Sequence, residues 1–175
     1  MSSFTGDLHV RLIGGTELME VKKEISFFSS VHVPGLQIKC HPGFISDGDS
    51  IPGIIRPAVR ASGRKYQNAY VVVHDPLYKL WAYYNRLFPT KTVPQHHELI
   101  EKITLKTADL LLDEGLQVLK LGWYARSKIY WGLRMFGDPG SIEENEEDWI
   151  KAAEHIELIQ WKTVKQAEKA CKISN

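Results

Sequence analysis

The apolar pattern changes from strand-like to helix-like along the chain, and this change most constrains the fold. Short apolar or alternating runs in the first 40 residues, separated by Gly-Gly and Val-Pro-Gly turn signals, predict an antiparallel β-meander. Its predicted strands are residues 8–13, 18–21, 25–28 and 36–40. From residue 65 onward the spacing becomes helical. Strands followed by helices indicate the α+β class rather than a doubly wound sheet.

The helical half is predicted to consist of several helices. Helical spacing occurs at residues 70–87, 97–119 and 121–136, and the sequence GDPG at 137–140 ends the last of these. An acidic turn and a single apolar stripe from Trp149 to about residue 171 then predict a C-terminal amphipathic helix.

Charge and composition exclude several classes of protein. The 22 Lys and Arg against 21 Asp and Glu give a net charge of +1, which argues against strong nucleic-acid binding. No apolar run is long enough to cross a membrane, and the N-terminus lacks a basic region followed by an apolar run, so no secretory signal is expected. Cys40 and Cys171 lie at opposite ends of the chain, and each is expected to be a buried apolar side chain rather than half of a disulfide.

The turn-rich segment SDGDSIP, residues 46–52, is the first candidate site. Asp47 and Asp49 flank a glycine, and Ser50 follows them, so the loop offers oxygen ligands to a hard cation such as Ca²⁺. The alternative is an Asx-turn network in which both carboxylates accept hydrogen bonds from local backbone amides. The second interpretation is favoured on sequence alone.

The pair His74-Asp75 is the second candidate, because it follows the apolar run of residues 71–73. A buried histidine is either neutral and hydrogen-bonded or charged and paired. In a helix His74 and Tyr78 share a face, whereas Asp75 points elsewhere. Alternatively, residues 70–73 are a strand and Asp75 caps a helix that begins at Pro76. Both interpretations remain open at this stage.

Asp109 lies beside a run of leucines and is the third candidate. A carboxylate in a core costs several kcal/mol unless it is paired. If Asp109 faces inward, His74 is the expected partner. If it faces outward with Asp113, it is a solvated helix residue. The inward orientation is slightly favoured.

Residues 123–134 mix aromatic side chains with three positive charges. Such a helix can lie on a membrane surface or stack on nucleic acid. Packing of the aromatic rings into the core, with Arg and Lys extending to solvent, is the favoured interpretation.

Together these segments resemble the bacteriophage and prophage family known as domain of unknown function 1353. The matching motifs are SDGDSIP at 46–52, HDPLY at 74–78, AD at 108–109 with Glu114, and LRMFG at 133–137. The resemblance implies a single domain over about residues 4–137, followed by an extension, 138–175, with an acidic turn and a C-terminal helix. Pro76 stands where an aromatic residue is common in the family, and proline is expected to kink a helix that runs through His74.

The His-Asp-x-x-Tyr helix, with an Asp on a second helix, is also similar to the phospholipase A2 site. That similarity implies His74 as the base for water and Asp75 as a metal ligand. It further implies Asp109 as the group that orients His74, with Tyr78 as the hydrogen-bond partner of Asp109. The loop carrying Asp47 and Asp49 would then donate further oxygens to the ion.

Two hypotheses follow from these resemblances. The first is a metal-assisted hydrolase of ester or amide bonds that uses Ca²⁺ or Zn²⁺. The second is a non-enzymatic phage component, a virion protein or a host-interaction module, whose His/Asp cluster is a structural network. In both cases we expect a location in the host cytoplasm or the virion. Partners are expected to be other phage proteins or a host protein that binds the C-terminal helix.

Overall fold

The structure, a computed structural model, describes residues 1–15, 18–46, 66–87, 99, 103–136, 146–163 and 166. Six antiparallel strands in the described part of the first 46 residues precede the helical segments, as the α+β prediction requires, and a seventh strand follows them. The strands are β1 Ser3–Thr5, β2 Val10–Leu12, β3 Met19–Val21, β4 Ile25–Phe28, β5 Leu36–Cys40, β6 Ile45–Ser46 and β7 Ile156–Gln160. They form a four-stranded sheet in the order β1-β4-β5-β7 and a three-stranded sheet in the order β2-β3-β6.

The predicted meander strands are confirmed as β2 to β5. Two further strands, β1 and β6, are only three and two residues long, which is too short to give a periodic signal. β6 pairs with β3, so that Ser46 lies opposite Met19. This pairing fixes the start of the SDGDSIP segment against the second sheet.

The prediction of one amphipathic helix from Trp149 to about residue 171 is wrong in its middle part. A helix is present at Glu146–Glu154, but Ile156–Gln160 forms β7, which pairs with β5. Ile156 and Leu158 are buried and alternate with more exposed neighbours, which is the pattern of a strand. The tertiary pairing therefore overrides the local helical spacing. Residues 164, 165 and 167–175 lie outside the described part.

The turn before β5 explains why the chain can add β7 at this edge. Gly35 has φ +89°, and a Cβ there would lie 2.6 Å from the carbonyl oxygen of Trp161. The Trp161 amide donates to the Gly35 carbonyl oxygen at 2.9 Å. Only glycine combines this backbone conformation with such a close approach.

Within the described residues the helices are α1 over residues 67–87, α2 Leu105–Val118, α3 Trp123–Phe136 and α4 Glu146–Glu154. α1 is built from four consecutive helical segments. They are Gln67–Ala69 (α), Tyr70–His74 (π), Asp75–Ala82 (α) and Tyr83–Leu87 (π). The alternative in which residues 70–73 form a strand is therefore wrong.

Proline does not end α1 because a π turn precedes it. The Asp75 amide donates to the Tyr70 carbonyl oxygen, five residues earlier. Pro76 has no N–H, so a carbonyl in the preceding turn loses its helical donor. The buried Cys40 thiol lies 3.6 Å from the Val71 carbonyl oxygen and 3.9 Å from that of Val72, and it replaces this missing donor. Burial, together with the negative charge of Asp75, raises the pKa of Cys40 and keeps the thiol protonated.

The core lies between the sheets and α1, with a second apolar cluster between α1, α2 and α3. In the second cluster Ile129 and Leu133 of α3 pack with Leu112 and Leu116 of α2. In α4, Trp149 and Ala152 are buried in this chain.

The prediction that α3 packs its aromatic rings inward is wrong for three of them. Trp123, Tyr124 and Trp131 are 72%, 60% and 60% exposed. The buried face of α3 is aliphatic, so the rings are not needed to fill the core. No helix in the described ranges is long and apolar enough to cross a membrane.

Candidate active site

His74 lies at the end of the π turn of α1, and its side chain is 1% exposed. Its Nδ1 lies 3.2 Å from Oδ1 of Asp75. Burial would raise the pKa of Asp75, but the hydrogen bonds from His74 and Ser46, together with nearby positive charge, hold that pKa below its usual value. An ionised carboxylate only accepts hydrogen bonds, so Nδ1 of His74 is the donor.

The other ring nitrogen of His74 distinguishes this side chain. Nε2 is buried and has no hydrogen-bond partner among the described residues. In the neutral ring with a proton on Nδ1, Nε2 carries a lone pair. Buried polar atoms are normally satisfied, so an unpartnered one suggests a function.

Two further side chains hold Asp75 and its surroundings in place. The Ser46 hydroxyl, on β6, donates to Oδ2 of Asp75. The buried Lys79 ammonium donates to the Ile45 carbonyl oxygen at 2.9 Å and lies 5.7 Å from the centre of the Phe44 ring. Lys79 follows Asp75 by one helical turn, so its charge also favours the ionised carboxylate. These contacts join α1 to the β2-β3-β6 sheet.

Tyr78 connects His74 to the helix that carries Asp109. Its ring stacks on the His74 ring with centroids 4.1 Å apart and an interplanar angle of 29°. Its hydroxyl donates to Oδ1 of Asp109 at 2.7 Å. Burial and the negative charge of Asp109 raise the pKa of Tyr78, so the phenol stays protonated and remains a donor.

Asp109 faces inward, which confirms the favoured orientation, and its hydrogen bond from Tyr78 is the one that the phospholipase A2 similarity implies. Its second oxygen accepts from Nη1 of Arg134 on α3 at 3.1 Å. The Asp109 side chain is fully buried, whereas the Arg134 side chain is 36% exposed. No hydrogen bond joins Asp109 to His74 among the described residues, and Asp75 occupies that role. Tyr78 lies between the two side chains, with its ring stacked on His74 and its hydroxyl bonded to Asp109.

The predicted metal ligands are only partly within the described chain. Asp47, Asp49 and Ser50 lie outside the described residues. Both oxygens of Asp75 already accept hydrogen bonds from His74 and Ser46. Within the described ranges no group of three or more His, Cys, Asp or Glu side chains is placed to hold a metal ion. A metal site thus remains a prediction that depends on the loop carrying Asp47 and Asp49.

Sequence reasoning assigned no site role to Ser46, Lys79 or Arg134. Lys79 had a signal, because an Asp followed four residues later by a Lys forms a helical pair. Ser46 and Arg134 lie within motifs that carried the family resemblance, yet no local rule connects either residue to its acidic partner. Those contacts exist only after β6 and α3 have docked.

Glu114 of α2 is a second buried carboxylate, separate from the His74 cluster. It accepts hydrogen bonds from the hydroxyls of Ser2 and Ser29 and from the backbone amides of Ser30, Val31 and His32. Burial would raise the pKa of Glu114, but these hydrogen bonds lower it below the usual value. The carboxylate joins α2 to β1 and to the turn between β4 and β5.

Comparison with known proteins places the chain in a family without assigning an activity. The model of a family described as "Protein of unknown function (DUF1353)" matches residues 19–133. This range contains His74, Asp75, Tyr78 and Asp109, and Arg134 lies one residue beyond it. No curated protein and no solved structure matched the chain. Because the family match covers more than half of the sequence, the chain belongs to the DUF1353 family.

Proposed function

We propose that this chain is a hydrolase of ester or amide bonds in which His74 is the general base that activates water. The observation that carries the proposal is the contrast between the two ring nitrogens. Nδ1 is held by the ionised Asp75, whereas Nε2 is buried and unpartnered in the described structure. A histidine whose second nitrogen is fixed by a carboxylate has a defined tautomer and a defined orientation.

The proposed reaction starts with a water molecule that donates a hydrogen bond to Nε2. Nε2 takes the proton while the water oxygen forms a bond to the carbonyl carbon of the substrate. The resulting imidazolium is stabilised by the negative charge of Asp75. When the tetrahedral intermediate collapses, the bond to the leaving alcohol or amine breaks and Nε2–H returns the proton to it. A base positioned in this way typically contributes roughly 10²- to 10⁴-fold in rate.

Tyr78, Asp109 and Arg134 act as positioning residues in this proposal. The Tyr78 ring covers one face of the imidazole, and its hydroxyl is anchored by Asp109. Asp109 is in turn fixed by Arg134 of α3. A ring stacked at 4.1 Å loses rotational freedom, so Nε2 keeps one direction.

Ca²⁺ or Zn²⁺ and a phage origin remain parts of the hypothesis that rest on resemblance. A cation held by Asp47 and Asp49 would polarise the scissile carbonyl. The steps assigned to His74 do not require it.

The test compares the wild-type chain with His74→Asn and His41→Asn. Asparagine at position 74 keeps an amide near the position of Nδ1, so it can still donate to Asp75, but it lacks the basic Nε2. His41 is a partly exposed histidine that pairs with Glu24 and Glu157 at the surface, and it serves as the matched control. Hydrolysis is measured on nitrophenyl esters, phospholipids, peptidoglycan and peptide amides, with and without added Ca²⁺ or Zn²⁺.

We expect His74→Asn to lower the rate roughly 10²- to 10⁴-fold while its melting temperature stays near that of the wild type. His41→Asn should retain the wild-type rate. Equal rates for His74→Asn and wild type, or no hydrolysis of any of these substrates by the wild type, would contradict the proposal.

A second candidate is a non-enzymatic phage component in which the same cluster only stabilises the fold. The near-complete burial of His74 favours it, because a base needs access to water. In this case His74→Asn would lack an activity phenotype, whereas His74→Ala would lower the free energy of unfolding by leaving Asp75 with one donor fewer. Detection of the protein in purified phage particles would favour this candidate.

A further inference from the structure

The exposed face of α3 is unusual for a helix that is docked on a protein core. Of the eight large apolar side chains that are exposed in the described chain, four belong to α3. They are Trp123, Tyr124, Trp131 and Met135, and each is at least 60% exposed. The opposite face is already occupied, because Ile129 and Leu133 pack on α2. Filling the core therefore does not account for these residues.

Three of these side chains form a continuous stripe together with Lys128, and we call this set the α3 stripe: Tyr124, Lys128, Trp131 and Met135. The spacing i, i+4, i+7, i+11 places all four on one side of the helix. The stripe spans twelve residues, and the eleven helical steps between its ends make it about 16 Å long. It is convex, since a single helix presents it. A convex apolar stripe suits a deformable surface better than a small ligand, which needs a concave pocket.

The charges on α3 indicate what kind of surface it contacts. The helix contains three basic residues and no acidic residue. Arg126 is paired with Asp113 and Arg134 with Asp109, each at 3.1 Å. Lys128 lies on the stripe, with its ammonium 4.3 Å from the centre of the Tyr124 ring, and has no ion pair within the described ranges. The stripe therefore combines aromatic rings with one uncompensated positive charge.

We propose that the α3 stripe binds an anionic lipid surface. Trp and Tyr favour the boundary between headgroups and acyl chains, because each joins an apolar ring to a polar group. Met135 adds apolar area, and Lys128 can extend from the stripe toward lipid phosphates. Nucleic acid fits less well, since one free cation and a net charge of +1 provide few phosphate contacts. The inference does not depend on the proposed hydrolase activity.

The test measures co-sedimentation of the full chain with vesicles of phosphatidylcholine alone and of phosphatidylcholine mixed with phosphatidylglycerol. The variants are Trp131→Glu and Lys128→Glu. Leu12→Glu is the matched control, because Leu12 is a large apolar residue that is 62% exposed on β2, away from α3. Circular dichroism and melting curves establish that each variant is folded, as expected for substitutions at exposed positions.

We expect the wild type to bind the anionic vesicles more strongly than the neutral ones and to be released as salt is raised. Trp131→Glu should weaken binding to both kinds of vesicle, by about tenfold or more. Lys128→Glu should weaken binding to anionic vesicles by roughly tenfold and leave binding to neutral vesicles nearly unchanged. Leu12→Glu should bind like the wild type.

The inference is overturned if the wild type does not bind anionic vesicles at low salt, or if Leu12→Glu loses as much binding as Trp131→Glu. It is also overturned if Trp131→Glu binds vesicles normally but abolishes either self-association in sedimentation or binding to single-stranded DNA. Those results would assign the stripe to a second copy of the chain or to nucleic acid. Hydrolysis of a soluble ester should be unchanged in Trp131→Glu, so failure of this inference and failure of the proposed hydrolase are distinguishable.

Discussion

The chain buries carboxylates in two clusters that use them in opposite ways. Around Glu114, five hydrogen-bond donors surround one side chain, and all five bond to its two carboxylate oxygens. Around His74, Asp75 and Asp109 each accept a hydrogen bond on both carboxylate oxygens, yet Nε2 of the imidazole has no partner among the described residues.

This difference distinguishes a cluster that stabilises the fold from the cluster to which we assign the proposed reaction. The donors of Glu114 come from Ser2, which directly precedes β1, and from the turn after β4, so the carboxylate fixes chain segments that are distant in sequence. Both Glu114 oxygens accept hydrogen bonds from described residues. In the His74 cluster the hydrogen bonds instead orient a ring and leave a lone pair unused, which costs stability unless a ligand or water satisfies it. Such a cost is typical of a functional site.

Substitution of Glu114 should have the largest effect on stability. Glu114→Gln places an NH₂ group where an oxygen accepted hydrogen bonds, so several buried donors lose their partner. We expect the free energy of unfolding to fall by about 4 kcal/mol, measured by urea denaturation. Asp113→Asn is the control on the same helix. Its partly exposed pair with Arg126 should contribute less than about 1 kcal/mol. Equal losses of unfolding free energy in the two variants would contradict the expected difference between a buried, hydrogen-bonded carboxylate and a surface ion pair.

The pH dependence of unfolding provides an independent check on the contribution of Glu114 to stability. The folded-state pKa of Glu114, and that of Asp75, lies below the usual carboxyl value. Their stabilisation is therefore fully present above the unfolded-state pKa and is lost as the pH falls through the lower folded-state pKa. We expect the wild type to become less stable in acid, and Glu114→Gln to show a shallower pH dependence over this range. An identical slope for Glu114→Gln and the wild type would show that Glu114 does not contribute to the pH dependence of stability.

Within the His74 cluster, the two aspartates should have unequal effects on hydrolysis. Asp75 contacts the base directly, whereas Asp109 acts through Tyr78. We expect Asp75→Asn to lower the rate roughly hundredfold, equivalent to about 2.7 kcal/mol of activation free energy, because an amide can reverse the tautomer of His74. Asp109→Asn should lower the rate less and act mainly on the melting temperature. If Asp109→Asn lowers the rate more than Asp75→Asn does, Asp109 is the residue that orients His74, as the resemblance to phospholipase A2 implies.

The sequence predicts local features of this fold better than long-range ones. The strands β2 to β5 follow from alternation and turn residues, which are properties of neighbouring positions. β7 was predicted as a helix because its pairing with β5 joins residues that are far apart in the chain. The five donors of Glu114 likewise come from the first 32 residues, so nothing in the sequence around position 114 indicates them.

The candidate site shows the same limit. His74, Asp75, Tyr78 and Asp109 were all identified from residue type and context. The shared face of His74 and Tyr78 follows from regular helical spacing, whereas the contact between His74 and Asp75 does not. Arg134 and Ser46 complete the cluster from elements that no local pattern connects to α1. The remaining predicted ligands, Asp47, Asp49 and Ser50, lie outside the described residues.

The tautomer of His74 tests the central claim most directly and requires no substrate. Long-range ¹H–¹⁵N NMR spectra of the histidine rings, with His74 assigned through the His74→Asn variant, report which nitrogen carries the proton at a pH where the ring is neutral. The structure predicts a protonated Nδ1, bound to Asp75, and an unprotonated Nε2. A proton on Nε2 with an unprotonated Nδ1 would contradict the account, because the nitrogen assigned as the base would then have no lone pair to accept a proton from water.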